Sequence, residues 1–574
     1  MANMKKPWWK DAVVYQIYPA SFKDSNNDGI GDIPGIVQAL DYIQSIGVDV
    51  IWICPMYASP QVDMGYDVSD YKSVYPPYGT VQDMEILIKE SHSRGLRIIL
   101  DLVINHTSDQ HAWFKESRSS KANPKRDWYI WQPARYDADG TRKPPNNWRS
   151  AFQGSAWSWD EQTEQYYLHL FAHEQPDLNF ENPELRKVVY EDSMIFWLDK
   201  GIDKFRIDCA NIMSKPPGFP DAPITDPDAE YQEFGPAVCN GPRILEYHSE
   251  IGAILNRYGA MSVGECPHTS SIEQVMGYVG ASQKRLNMIF QFDVCEVGCG
   301  KPERFDIEPF AYELVDLKRA IQLTQSFLSE TDGWTTTFIE NHDLARSVSR
   351  FGDDGPEWRE RSAKLLAILF SSLSGTLFVY QGQEIGMINI PKDWPMEEYK
   401  DIGSINYYET VRKRSQNNPE AMRKARESLQ HLSREQARTP MQWSSNRNGG
   451  FTDDMVEPWM RVNTSTSEIN VAEQLKRDDS VLAFWRHMLQ IRKQLNDVLV
   501  HGHFELVDED NKQVFSFVKR GTDRSALVVC NFSGLEAALP DCALEARWKL
   551  RFGNVAGSSK GSLEPWEGRI YFSA

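Results

Sequence analysis

The sequence predicts an α/β protein: a (β/α)₈ TIM barrel, an inserted lobe after its third strand, and a C-terminal antiparallel β-sandwich. Three observations carry this. Short continuous apolar runs alternate with segments of helical period, the pattern of a parallel sheet covered on both faces. Eight such runs occur, the number a closed barrel requires. From about residue 500 the helical segments give way to alternation, which marks an antiparallel sheet.

The eight runs span residues 13–18, 48–53, 97–103, 204–207, 261–263, 288–292, 336–339 and 376–380. One connecting helix shows the grammar in full. Thr80 can cap it, Asp83 stands three residues later, Met84, Leu87 and Ile88 form its apolar face, and Gly95 closes it. The third run follows at once. Two gaps exceed a barrel loop. Residues 107–171, rich in Trp, Pro, Asn and Gly, are read as a lobe on the catalytic rim. Residues 382–452 are a second, polar insertion. The barrel thus takes residues 1–106 and 172–499, and the sandwich takes 500–574. Ser480 caps the last barrel helix, whose buried face is Val481, Leu482, Trp485, Met488, Leu489 and Arg492. In the sandwich, Val514, Phe515 and Phe517 are separated from Leu527, Val528 and Val529 by the turn at Arg520-Gly521.

Charge excludes some partners. The 62 basic and 81 acidic residues leave a net charge of −19, which disfavours nucleic acid and anionic membranes. No stretch approaches a membrane span. Lys5-Lys6 is followed by Pro7 and Trp8 rather than an apolar core, so no signal peptide is expected. The eight cysteines form no C-x-x-C, and several lie in apolar runs. They read as free thiols in a reducing compartment, so the expected location is cytoplasmic.

The chemistry gathers at strand ends. Lys204-Phe205-Arg206-Ile207-Asp208 closes the fourth run, and a period of two puts Arg206 and Asp208 on one face. A guanidinium there is expected to lower the Asp208 pKa and keep a nucleophile ionised. Gly264-Glu265 ends the fifth run. Two close carboxylates cannot both ionise easily, so one can serve as the acid. Asn341-His342-Asp343 ends the seventh run, Asp101 to His106 ends the third, and Gly65-Tyr66-Asp67 follows the second. Each string alone is ordinary turn chemistry. Together they bring acids, imidazoles and an arginine to one rim, where barrel enzymes keep their sites.

In this order the strings resemble glycoside hydrolase family 13, the α-amylase clan, and its α-glucosidase/oligo-1,6-glucosidase branch. Gln175-Pro176-Asp177-Leu178-Asn179 matches a segment typical of that branch. The resemblance implies an exo-acting retaining α-glucosidase that releases α-glucose from short α-glucosides of the maltose or isomaltose type. Asp208 is then the nucleophile, Glu265 the acid/base and Asp343 the third carboxylate. Tyr66, Asp67, His106, Arg206, His342 and Arg438 resemble the groups that grip the terminal glucose. Phe152 and Phe171 resemble an aromatic wall. The carboxyls of Asp208 and Glu265 should lie roughly 5–5.5 Å apart, and Asp343 should help keep Glu265 protonated. A monomer or weak homo-oligomer acting on a small sugar is expected.

The resemblance also implies a structural Ca²⁺ and no cofactor for catalysis. Asp24, Asn26, Asp28, the Ile30 carbonyl and Asp32 recur at every second position, as in the first half of an EF-hand loop. The twelfth position is Gly35 instead of Glu, so the loop is not an EF-hand. Three positions depart from the branch. Cys209 stands where Val accompanies α-1,6 preference and Thr α-1,4 preference. Leu344 stands where Gln is frequent, and Ala151 where an aromatic is. These changes motivate an α-glucosyltransferase as the alternative reading. A catalytically dead binding scaffold is the remote one, opposed by the presence of all three acids.

Overall fold

The computed structural model describes residues 7–301, 304–306, 312–329, 331–557 and 561–573. Part of the 300–330 stretch, whose sequence lacks the Arg/Asp-rich loop of sucrose isomerases, lies outside these residues. So does the start of the N-terminal segment.

Eight parallel strands form one sheet. They are β1 (Val13–Ile17), β2 (Val50–Ile53), β3 (Arg97–Leu102), β4 (Lys204–Ile207), β5 (Met261–Glu265), β6 (Met288–Phe290), β7 (Thr336–Thr337) and β8 (Thr376–Tyr380). Their spatial order is β6-β5-β4-β3-β2-β1-β8-β7. A parallel bridge between Ile289 and Thr335 brings the two ends together. The two-residue period sorts the side chains. Val14, Val50, Trp52, Ile99, Val263, Met288, Phe290 and Phe378 fill the barrel interior. Their neighbours Val13, Tyr15, Ile51, Ile98, Leu100, Phe205 and Ile207 face the helices. That is why the runs read as continuously apolar.

The helices end where their caps stand. Thr80 and Asp83 form a capping box on helix Val81–Ser93, and Gly95 takes a φ of +75° beyond it. The Ser480 hydroxyl accepts from the Ala483 N–H at the start of helix Val481–Gln494.

The inserted lobe is built on a sheet of Trp157–Asp160, Gln165–Leu168 and Trp131–Gln132. Its core contains Trp148, Trp157 and Leu168, and also Ile212, Ala222 and Val238. The connection after β4, residues 208–243, is therefore a third long rim segment. Its Pro- and Gly-rich stretch carries no period that would announce it. The 382–452 insertion holds helices Ile402–Arg414 and Pro419–Leu432, packed around Trp394, Tyr399, Tyr407, Ala425 and Leu429.

The C-terminal sheet comprises β9 (His503–Val507), β10 (Val514–Arg520), β11 (Ser525–Asn531), β12 (Trp548–Gly553) and β13 (Gly568–Ser573), ordered β9-β10-β11-β13-β12. Phe515, Phe517, Val528 and Ile570 pack onto Leu317, Ile321, Leu365 and Leu369 of two barrel helices. The other face carries Val518, Leu527 and Val529. A two-stranded ribbon, Ala537–Ala538 with Ser562–Leu563, completes the second layer. With each fully buried large apolar side chain worth about 1.5–3 kcal/mol, this contact holds the sheet to the barrel.

Candidate active site

Register builds the catalytic centre. Arg206 pairs with Asp101 on β3 and with Val263 on β5. Its side chain points into the barrel, among the acids. Nη1 donates to Asp101 Oδ1 at 2.6 Å and to Asp208 Oδ1 at 2.7 Å. Nη2 donates to Glu265 Oε2 at 2.5 Å. The Trp52 indole N–H holds the other oxygen of Asp101 at 2.7 Å. One buried guanidinium thus holds Asp208 and Glu265 together, with Asp101 as its third carboxylate partner. An oxygen of Asp208 and one of Glu265 lie within 4.8 Å of each other. The two acids thus stand side by side, as the nucleophile and acid of a retaining glycosidase do.

Electrostatics divides the roles. Burial pushes Glu265 up to about 7; Arg206 opposes this, while Asp208 and Asp343 add to it. Burial also raises Asp208, outweighing Arg206. The lowering expected from the Arg–Asp spacing is therefore reversed, because the site is desolvated more deeply than spacing can reveal. Both carboxyls are raised, and Glu265 reaches about 7. Asp343 behaves in the opposite way. Burial disfavours its charge, yet His342, Arg434 and Arg438 outweigh burial and hold it well below the usual carboxylate range.

The rest of the pocket follows from hydrogen bonds. The Gln16 amide donates to His342 Nδ1 at 2.8 Å, leaving the ring proton on Nε2. That nitrogen faces the Tyr66 hydroxyl at 2.6 Å and Asp343 Oδ2 at 3.1 Å. Tyr66 lies parallel to His342, with 5.4 Å between ring centres. Arg434 reaches Asp63 at 3.0 Å, Asp343 at 3.3 Å and Asp401 at 2.6 Å. Arg438 reaches Asp343 at 2.8 Å and Asp401 at 2.9 Å.

A cavity of about 120 Å³ is lined by Asp63, Tyr66, His106, Phe152, Phe171, Asp208, Cys209, Glu265, Asp343 and Arg434. Phe152 and Phe171 stand 6.1 Å apart on one wall. Arg206, His342 and Arg438 stand behind it, each bonded to a lining acid. Asp67 does not line it. Its carboxylate accepts from the Ser59 hydroxyl and from the N–H groups of Val62 and Asp63, so it folds the loop. Asp63 is the acid that this loop presents. Gly65, at φ +100° and with no room beside the Pro55 carbonyl, allows the turn. Sequence reasoning missed Asp63 and Arg434. Arg434 precedes Arg438 by one helical turn, which puts both on one face.

Cys209 lines the pocket at φ +45°, a conformation costly for β-branched residues. Its N–H turns toward Glu265 Oε2 at 3.4 Å. The other two departures do not reach the site. Leu344 is buried in the barrel interior with Trp52 and Phe338. Ala151 is exposed on a turn.

The acidic loop lies apart from the pocket. Asp24 accepts from the N–H groups of Asn26, Asn27 and Gly29 and from the Thr452 hydroxyl. Asp32 accepts from Ser25 and Gly35. Asp28 accepts from the Ile30 N–H and the Asn26 amide. The all-oxygen donor set fits a hard cation in kind. Among the described residues, however, no three of its acid oxygens gather as ligands do. The amides now hold these oxygens.

The eight-stranded barrel thus presents two carboxylates on one shared arginine at its rim. The model of the alpha-amylase catalytic domain matches residues 16–502, and the chain belongs to this family, glycoside hydrolase family 13. An alpha-glucosidase of Candida albicans is 52% identical, with 98% of this chain and 99% of that protein covered. An oligo-1,6-glucosidase of Saccharomyces cerevisiae is 47% identical over 99% and 98%. Among solved structures, Bacillus licheniformis trehalose-6-phosphate hydrolase superposes with a TM-score of 0.88 at 39% identity, covering 99% of this chain and all of that one. Isomaltulose synthase from Erwinia rhapontici NX5 gives 0.91 at 36%, covering both chains fully.

Proposed function

We infer that the protein is an exo-acting retaining α-glucosidase of short α-glucosides. The observation that carries this is the Asp208–Glu265 pair, oriented by Arg206 and less than 5 Å apart at its nearest ligand oxygens. Glu265 gives its proton to the glycosidic oxygen as Asp208 attacks the anomeric carbon. The carbon–oxygen bond to the leaving sugar breaks, and a β-glucosyl ester forms on Asp208. Glu265, now a carboxylate, takes a proton from water, and the water oxygen displaces Asp208 to give α-glucose. Asp343, held ionised, accepts from sugar hydroxyls. Asp63 and Arg434, with the Tyr66 platform, close one side of the pocket, which supports an end-on, single-glucose subsite.

The test is a product profile from maltose and isomaltose beside Asp208→Asn. Glucose from the wild type alone is expected. Turnover by neither protein overturns the reading.

Transglucosylation is the second reading. It now rests on Cys209 alone, since Leu344 and Ala151 stand away from the pocket. Trisaccharides from concentrated maltose would support it, and glucose as sole product would end it.

A structural Ca²⁺ on Asp24, Asn26, Asp28, the Ile30 carbonyl and Asp32 belongs to the same proposal. The oxygen-only donor set supports it, although the ion would have to displace amide donors. An unchanged Tm on adding Ca²⁺ to chelator-treated protein would contradict it.

No helix among the described residues is long and apolar enough to cross a membrane. Eight free cysteines support a cytoplasmic setting. The net charge of −19 supports action without nucleic acid, as a monomer or weak homo-oligomer.

A further inference from the structure

Asp401 stands outside the pocket, at the start of helix Ile402–Arg414. Its two oxygens do different work. Oδ1 caps the helix, accepting from the N–H groups of Gly403 at 2.9 Å and Ser404 at 3.4 Å. Oδ2 accepts from Arg434 at 2.6 Å and Arg438 at 2.9 Å. The same two guanidiniums meet at Asp343 Oδ1, at 3.3 and 2.8 Å. Asp343, Arg434, Asp401 and Arg438 therefore form a four-cornered ring of alternating charge. Asp343 faces the sugar pocket, Arg434 lines it, and Asp401 is the corner farthest back.

We propose that Asp401 is a positioning residue for this reaction, fixing the two arginines that place Asp343 and balancing their charge. The inference rests on the glucosidase reading and deepens it. Without this carboxylate, two buried guanidiniums have only Asp343 and Asp63 to answer them. A buried charge so exposed pulls on what remains. The ring also reaches the opposite wall. The Asn406 amide of the same helix donates to the Phe152 carbonyl at 2.9 Å, and the Arg434 guanidinium lies 5.1 Å from the Phe152 ring. The polar insertion thus lines the site through Arg434 and sets its geometry from behind through Asp401.

The charge of Asp401 gives a readout that a merely structural residue lacks. Glu265 is faced by Arg206, Asp208, Asp101, Asp343 and the thiols of Cys209 and Cys266. Asp401 is faced by Arg434, Arg438, Asp343, Asp63, Glu435 and Tyr18. Removing its negative charge leaves the arginines less compensated, so Asp343 acts less strongly on Glu265. The ionised form of Glu265 is then favoured, and its pKa falls.

The experiment is the pH profile of kcat/KM on maltose, whose leaving sugar needs the Glu265 proton, with Tm, for wild type, Asp401→Asn, Asp401→Glu and Ser404→Ala. Ser404 binds Glu435 at the same helix start and carries no charge. Asp401→Asn is expected to lower kcat/KM about tenfold or more and to move the alkaline limb down by about half a unit. Asp401→Glu, which keeps the charge, leaves the limb in place while kcat/KM falls, and it carries the test if the Asn variant does not fold. Ser404→Ala lowers Tm without moving the limb. An unmoved limb in Asp401→Asn, or a moved one in Asp401→Glu, overturns the proposal. A wild type without turnover overturns instead the glucosidase reading.

Discussion

Arg206 donates to Glu265 at 2.5 Å, although Glu265 is the group that carries the proton in the proposed mechanism. The two demands are reconciled by burial and by charge. The guanidinium favours the carboxylate, but desolvation, Asp208 and Asp343 favour the acid, and the balance falls at about 7. A general acid near the working pH transfers its proton best. Replacing Asp343 by Asn removes a negative charge, so the Glu265 pKa falls and the alkaline limb of kcat/KM moves to lower pH. A limb that stays or rises in that variant contradicts this balance.

The acid role itself is separable by leaving group. Glu265→Gln should lose about 10²–10⁴-fold on maltose. On an activated aryl glucoside, whose leaving group needs no proton, the first step should suffer far less. Equal losses on both substrates would assign Glu265 another role.

Asp63 and Asp67 should part company on substitution. Asp63→Ala removes a pocket-lining acid and the buried partner of Arg434, so kcat/KM should collapse, with some loss of Tm, whereas Asp67→Ala should keep more of its activity. Asp67→Ala leaves the Ser59 hydroxyl and two N–H groups without their acceptor, at roughly 1–3 kcal/mol per buried group, so Tm should fall clearly. Thermal melts beside initial rates distinguish the two, and the reverse pattern would restore Asp67 to the sugar site.

Cys209 tests strain and specificity at once. At φ +45° a β-branched residue is costly, so Cys209→Val and Cys209→Thr should each lose roughly 1–3 kcal/mol of stability. The Val variant should turn over relatively more isomaltose and the Thr variant more maltose. An unchanged linkage ratio in both would remove Cys209 from specificity.

Lys519 predicts a pH dependence of stability. It is fully buried on β10 against Ser374, and burial holds its amine well below the usual lysine value, with Arg492 adding to this. The folded state then binds fewer protons there than the unfolded one, so this term gains stability as pH rises from the folded pKa toward about 10.4. Lys519→Met should raise Tm and flatten that slope. A steeper slope would reverse the assignment.

The barrel was legible because strand burial on both faces leaves continuous apolar runs, and because Thr80 and Ser480 mark helix starts unambiguously. Asp208, Glu265 and Asp343 were legible because strand ends in a barrel share one rim. The choice of Asp63 over Asp67 was not, since four residues of one loop separate them and only its folding decides which acid faces inward. The Asp401 corner was hidden for another reason: the insertion lacks any period tying it to Arg434. Nor could spacing reveal the upward shift of Asp208, because depth of burial is a property of the whole fold.

The most direct test of the account is the anomer released first. Proton NMR during the early hydrolysis of 4-nitrophenyl α-glucoside, whose leaving group is not a sugar, resolves it before mutarotation. Asp208 and Glu265 at their close spacing predict α-glucose as the first product. β-Glucose appearing first would mean a single displacement by water and would contradict the account.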